Sequence, residues 1–398
     1  MIRSSRRRRI ITAVATMAIV AAASGETTAR HAPSGADDAA ASSLDGPVKV
    51  GTHWCLTGAA SYAGSQLVKG TDLAVEEINE TGFLGAGTID VVNVDDASDP
   101  AQAVSAAQQL INRERVSAIV GGCTSSATLA ALPIADDAGI PWVIGNAVGP
   151  GLASEGEHIF RTSMPYTSLF KQLVDEVFPT LGGTRVALVY GNDNQSQVSF
   201  ADDFRRFMDE AGGYELVVDE GIRDADTDFS AIITRIANQD VDIMLPMLLG
   251  PQAANFVLQA RRAGVDAAVV GQQGHNTPDI FEIAGDAAVG WILPSTWSIE
   301  DGNAQNVAFI ELYRERHGED PDLYAANGYT AMWVLAKAIR AADSGEPEAI
   351  FAALKEMREV EVPLGDGLLV FDENGEGSQS GVILVLQEDG AFGLWSPE

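Results

Sequence analysis

Residues 119–143 read IVGGCTSSATLAALPIADDAGIPWV, and the order of side chains in this stretch decides the fold class. Ser117–Val120 is a short apolar, β-branched run, the pattern of a strand. A Gly-Gly-Cys-Thr turn follows, and Ser125–Ala138 then carries apolar residues at helical spacing. Pro141–Ile144 is the next strand. Strand, helix and strand joined by short turns make a βα repeat, and such repeats predict a parallel sheet with helices on both faces.

The same alternation continues on either side. Toward the N-terminus the pattern predicts strand Val48–Trp54, helix Ser65–Glu80, strand Ile89–Val94 and helix Ala101–Arg113. It restarts after Met164 with helix Ser168–Phe178, strand Arg185–Tyr190, helix Phe200–Ala211 and strand Glu215–Asp219. Helix Phe229–Asn238, strand Ile243–Met247, helix Gln252–Ala263 and strand Ala267–Gly271 complete this second run. Two successive runs predict two α/β domains. The tail differs: long helices at Asn303–His317 and Leu323–Ala342, then strands Gly365–Phe371 and Val382–Gln387 around the turn Asp372–Gly375.

The N-terminus points to export. Residues 1–9 hold five arginines and no acid, Ile10–Ala23 is apolar, and small residues Ala21 to Ser24 close the run. This is the order of a secretory signal, 1–23, and the run is shorter than the roughly 20 residues a bilayer span needs. The arginines are also a loose match to the twin-arginine route. No cysteine stands near the expected cleavage point, so a lipid anchor is not indicated. Residues 24–46 contain almost no large apolar side chain and read as a flexible tether. The net charge is −31, and −36 once the five signal arginines are gone. So acidic a chain repels nucleic acid and anionic lipid, which makes both poor partners; the charge itself reads as a solubility or salt-adaptation feature.

In open parallel sheets, ligands sit beyond the carboxyl ends of the strands. The corresponding loops (53–65, 95–99, 121–126, 145–151, 191–199, 248–252 and 272–278) are rich in Gly, Ser, Thr, Asn and Gln. They suit hydrogen bonding to a small polar molecule better than acid–base chemistry. The enzyme reading has one foothold, Cys123 at a strand-to-helix turn with His53 as a conceivable base. The G-x-C-x-G elbow is absent, however. The five histidines (His31, His53, His158, His275, His317) show no metal spacing, and no dinucleotide or phosphate loop occurs. No cofactor is expected.

The order of motifs resembles the leucine/isoleucine/valine-binding type of type I periplasmic binding proteins. The pieces are GTHWCLTGAASYAG (51–64), VDDASDPAQAV (94–104), the stretch 119–143, HIFRTSMP (158–165), TDFSAIITRI (227–236), LQARRAG (258–264), IAGDAAVG (283–290) and FDENGE (371–376). The resemblance implies two Rossmann-like lobes joined by three crossings, with a ligand held in the cleft between them. Lobe 1 would be 47–165 plus 298–375, and lobe 2 166–297 plus 376–398. It also implies that a hydroxyl after Cys123, on Thr124 or Ser125, binds the ligand's polar end. Plain helix capping by these residues is the alternative. Ala147 would supply a backbone carbonyl, whereas Val148 replaces an expected threonine hydroxyl. Gln273 aligns with a glutamate that pairs with the ligand's ammonium group in the relatives. That loss favours an amide, a urea-like compound or a carboxylic acid, unless Asp96 or Asp193 has taken over or the alignment slips by a residue or two. Tyr62 and Trp54 could wall the apolar part of the ligand or serve the core. Gln195 or Ser196, and Leu249 with Gly250, stand near lost aromatic contacts.

The relatives bond the cysteine at the Cys123 position to the place that is Ser98 here. Cys55 and Cys123 each follow a strand, and the first and third strands are neighbours in this strand order. Export favours oxidation, so a switched bridge, Cys55–Cys123, is expected. Together these readings predict a monomeric, exported binding protein that hands a small solute to ABC permease subunits in the membrane. A ligand-sensing receptor domain of the same fold is the alternative; it would need a transmembrane or signalling module.

Overall fold

The computed structural model describes residues 44–396. The expected signal and most of the expected tether lie outside the described residues. The end of the tether does not: Asp45 and Gly46 already belong to the first strand, and the Leu44 amide donates to Asp343 Oδ1.

A five-stranded parallel sheet holds β1 (Asp45–Trp54), β2 (Ala86–Asp95), β3 (Ala118–Gly121), β4 (Trp142–Ile144) and β5 (Ile159–Arg161) in the order β2-β1-β3-β4-β5. Helices α1 (Ser61–Thr81), α2 (Pro100–Gln108) and α3 (Ser125–Asp137) connect its first four strands. After α4 (Thr167–Gln172) a second parallel sheet follows. It contains β6 (Arg185–Gly191), β7 (Glu215–Ile222), β8 (Ile243–Met247) and β9 (Ala268–Val269), in the order β7-β6-β8-β9. Its helices are α5 (Gln195–Ala211), α6 (Ser230–Ala237), α7 (Gly250–Arg262) and α8 (Asp279–Ala284). β3, β4 and β8 are buried along their whole length, which is why they read as continuous apolar runs rather than alternating ones.

The chain then leaves the second sheet. β10 (Ile292–Ser295) touches its edge through the bridge Val270–Ile292. Helices α9 (Ala304–His317), α10 (Leu323–Ala342) and α11 (Pro347–Glu356) follow, and α10 lies along α1. That approach is close: a Cβ on Gly328 would stand 2.2 Å from the Leu67 carbonyl oxygen, so no larger residue fits. The antiparallel strands β11 (Glu359–Glu361), β12 (Leu368–Phe371) and β13 (Gly377–Ser378) come next. The last strands, β14 (Val382–Leu386) and β15 (Phe392–Leu394), return to β10. Three chain segments thus pass between the halves: β5 to α4, β10 to α9, and β13 to β14. Arg161, fully buried at the first crossing, pairs through Nε with Glu376 Oε1 at 2.5 Å near the third.

Several boundaries move for local reasons. α5 begins at Gln195 rather than Phe200 because the Asn194 carboxamide oxygen caps the Ser196 amide. The helix expected to run to Arg113 widens after Gln108 into a π-type turn and ends at Arg115, whose φ is +57°. The strand expected from Gly365 starts only at Leu368, because Gly365 and Gly367 both turn at positive φ. Among the described residues no helix is long and apolar enough to cross a membrane.

Candidate functional site

One cleft lies between the two sheets, at the carboxyl ends of their strands, with about 710 Å³ of space counted to its open mouth. The first half contributes the loop after β1, the start of α3, the loop after β4 and the start of α10. The second contributes the starts of α5, α7 and α8 and the loop after β9.

Tyr62, Thr124, Ser125, Ala147, Val148, Ser196 and Gly250 all line this cleft. Their positions follow from local structure. Gly122, at φ +92°, swings the chain from β3 into α3, so Thr124 sits at the N-cap with no side-chain capping bond. Ser125 Oγ accepts from the Gly149 amide at 2.9 Å, and the Ala147 carbonyl accepts from Ser163 Oγ at 2.8 Å. Asn146 ties the two loops by donating to the Cys123 carbonyl.

The side chains of Gln195 and Gln273 are not part of the cleft wall. Gln273 is buried, and its amide oxygen accepts from the Thr296 backbone at 2.7 Å, which turns it toward the second crossing. Gln195 contributes its backbone: its amide donates to Ser126 Oγ at 2.9 Å, from the second half to the first. Trp54 is core, 1% exposed. Asp96 is fully buried 3.3 Å from His53 Nδ1, and Asp193 Oδ1 accepts from the Asp224 amide. Neither acid is in the cleft wall.

Sequence reasoning did not single out Tyr166, Asn194, Gln197, Gln272, Asp279 and Tyr324, which also line the cleft. Tyr324 OH donates to the Gly274 carbonyl at 3.0 Å, a second bond between the halves. Gln272 is held by His275, whose Nδ1 takes the Gln272 amide while Nε2 donates to the Leu248 carbonyl. Complete burial pushes this imidazole down to about 4, so it is neutral.

A second buried carboxyl, Asp322, lies behind the cleft wall and feels the charge of Asp279. Asp322 caps α10 through the Ala325 amide and accepts from Tyr62 OH at 3.0 Å. Burial, with Asp279 adding to it, pushes Asp322 up to about 6. Asp279 is also raised, first by burial, and its Oδ1 accepts from Thr277 Oγ1. Burial and the neighbouring acids raise Tyr62 and Tyr324, which keeps both protonated and able to donate.

Cys55 and Cys123 form a disulfide with Cα atoms 5.8 Å apart. The register explains it. His53 lies opposite Gly121 across β1 and β3, and each cysteine stands two residues farther on. Cys123 is thereby spent in the bridge. His53 is engaged by Asp96 and by the Ala103 carbonyl, so a Cys–His pair is not assembled.

Two parallel-sheet halves, three crossings and a cleft bridged by hydrogen bonds between the halves define a two-lobed solute-binding module. The chain belongs to the periplasmic binding protein family, whose profile matches residues 47–391. That family binds substrates and is not a family of enzymes. The leucine-, isoleucine-, valine-, threonine- and alanine-binding protein of Pseudomonas aeruginosa is 27% identical over 83% of this chain and 87% of its own length. The isoleucine complex of the branched-chain amino acid transporter substrate-binding protein LivJ from Streptococcus pneumoniae is 27% identical, with a TM-score of 0.79, covering 87% of this chain and 97% of that one. An ABC-transporter solute-binding protein from Rhodopseudomonas palustris, in complex with 3,4-dihydroxybenzoic acid, is 25% identical with a TM-score of 0.78, covering 87% and 95%.

Proposed function

We propose that the chain is the exported solute-binding component of an ABC importer, working as a monomer in the periplasm or at the cell surface after loss of residues 1–23. One lobe comprises 45–165 plus 298–378 and the other 166–297 plus 379–396; the last boundary falls after β13, not at 375, because β13 pairs with β12 of the first lobe. The lobes close over a small polar solute and present the closed form to permease subunits. The observation that carries this reading is the shared wall. Thr124, Ser125 and Ala147 from one half meet Ser196, Gly250 and Gln272 from the other around one cleft. A solute bound by both halves favours closure by its differential affinity, with no bond made or broken.

The test is a thermal-shift screen of the purified chain against amino acids, short amides, urea and small carboxylates, benzoates included. A solute present at about 100 times its Kd adds roughly 2.7 kcal/mol of stability, enough for a clear rise in melting temperature. Thr124→Ala should weaken the responding solute. A full response in that variant would put the site elsewhere.

A further inference from the structure

Asp279 is 6% exposed, lines the cleft, and has one carboxylate oxygen, Oδ2, with no hydrogen-bond partner. Its other oxygen is taken by Thr277 Oγ1. Removing a carboxylate from water without a compensating charge is costly, so such a group is normally paired. Among the described residues no lysine, arginine or histidine lines the cleft. Arg161, a buried cation at the first crossing, pairs with Glu376 and the Gly149 carbonyl; its Nη2 has no partner, but the residue does not line the cleft. The remaining charges near Asp279 are acids, Asp322 and Glu282. Asp279 therefore stands in the cleft wall as a buried acid with no cation beside it among the lining residues and one oxygen unsatisfied.

We propose that Asp279 Oδ2 accepts a hydrogen bond from an ammonium group of the bound solute, and that the solute is therefore an amine-bearing molecule rather than a simple acid. This rests on the cleft being the solute site. The assignment moves the acid away from the position at which the resemblance would place it: Gln273 stands there and is occupied with Thr296 N. Asp279 opens α8, six residues later in the chain, and meets the cleft beside Gly250; a Cβ on Gly250 would lie 3.5 Å from its free oxygen. Tyr62 OH and Tyr324 OH point their protons to Asp322 and to the Gly274 carbonyl, so neither donates to Asp279. The partner has to come with the solute.

Calorimetric titration of the purified chain with matched probes tests this. The ammonium set is the standard α-amino acids and putrescine; the deaminated set is propanoate, 4-methylpentanoate and 3-phenylpropanoate, with benzoate added as a simple acid. At least one ammonium probe should bind and its deaminated counterpart should not. Asp279→Asn should weaken that probe on the order of 100-fold, and Asp279→Glu should recover part of the loss. The ligand-free melting temperature of Asp279→Asn should match or exceed that of the native chain, since an unpaired buried charge is gone. Binding by the deaminated set alone overturns the ammonium assignment and leaves the solute-binding reading standing. Undiminished binding of the amine by Asp279→Asn overturns the assignment too. Failure of every probe in both sets overturns both.

Discussion

The backbone amide of Gln195 donates to Ser126 Oγ at 2.9 Å, joining the first turn of α5 in one half to the first turn of α3 in the other. Tyr324 OH to the Gly274 carbonyl is its counterpart on the opposite side of the cleft. Both bonds exist only when the halves are together, so they contribute to the closed state and not to the open one. A neutral hydrogen bond of this kind is worth about 1 kcal/mol net. Because the closed form is the one that holds solute, Ser126→Ala should weaken binding roughly fivefold. Small-angle scattering of the ligand-free variant should show a larger radius of gyration. If affinity and radius both stay put, this pair does not hold the halves.

The Cys55–Cys123 bridge closes a 68-residue separation and pins the loop before α1 to the start of α3. Loop-closure entropy for a chain segment of that length corresponds to about 4 kcal/mol of stability. The double variant Cys55→Ser, Cys123→Ser should lose stability of that order in urea unfolding. Its midpoint should ignore dithiothreitol, whereas that of the native chain should fall on reduction. Equal midpoints for the variant and the oxidised native chain would show that the bridge adds nothing. Binding should weaken as well, because Cys123 lies in the cleft wall beside Thr124.

How much of this was legible in the sequence depended on the origin of each feature. Strands such as Ile243–Met247 were readable at their true ends because burial on both faces leaves an unbroken apolar run. β5 and β10, three and four residues long, are too short to display any period. In the site, the loops that carry Thr124, Ser125 and Ala147 were legible because strand-to-helix loops of a parallel sheet must come to one edge; the choice of those residues within the loops came from the resemblance. Tyr324 was not legible, since its place at the cleft depends on α10 packing along α1, which no local pattern encodes. Asp279 lies one residue beyond the 272–278 loop. Gln273 was assigned by resemblance alone, and the Thr296 backbone is what turns its side chain away. The cysteine pairing was legible because both partners stand at the same offset past neighbouring strands.

Asp322 offers the sharpest test of the buried acids. It is 4% exposed, and burial together with Asp279 raises it from 3.8 to about 6. The folded state therefore holds this proton more tightly than the unfolded chain. The resulting stability is fully present below 3.8 and is lost as pH rises through about 6. Asp322→Asn keeps an oxygen to cap the Ala325 amide but has no charge to desolvate, so this pH dependence vanishes from the variant. Other groups titrate in the same window. The buried His275, lowered to about 4, works in the opposite direction as pH falls. The informative quantity is accordingly the difference between variant and native chain, in which shared contributions cancel. Measured by urea unfolding, that difference should move in favour of Asp322→Asn by about 1–2 kcal/mol between roughly pH 5 and pH 8. A difference that stays flat across this range would mean that Asp322 titrates in the folded protein as it does in the unfolded chain, and that Tyr62 and the Ala325 amide together stabilise its charge as well as water does.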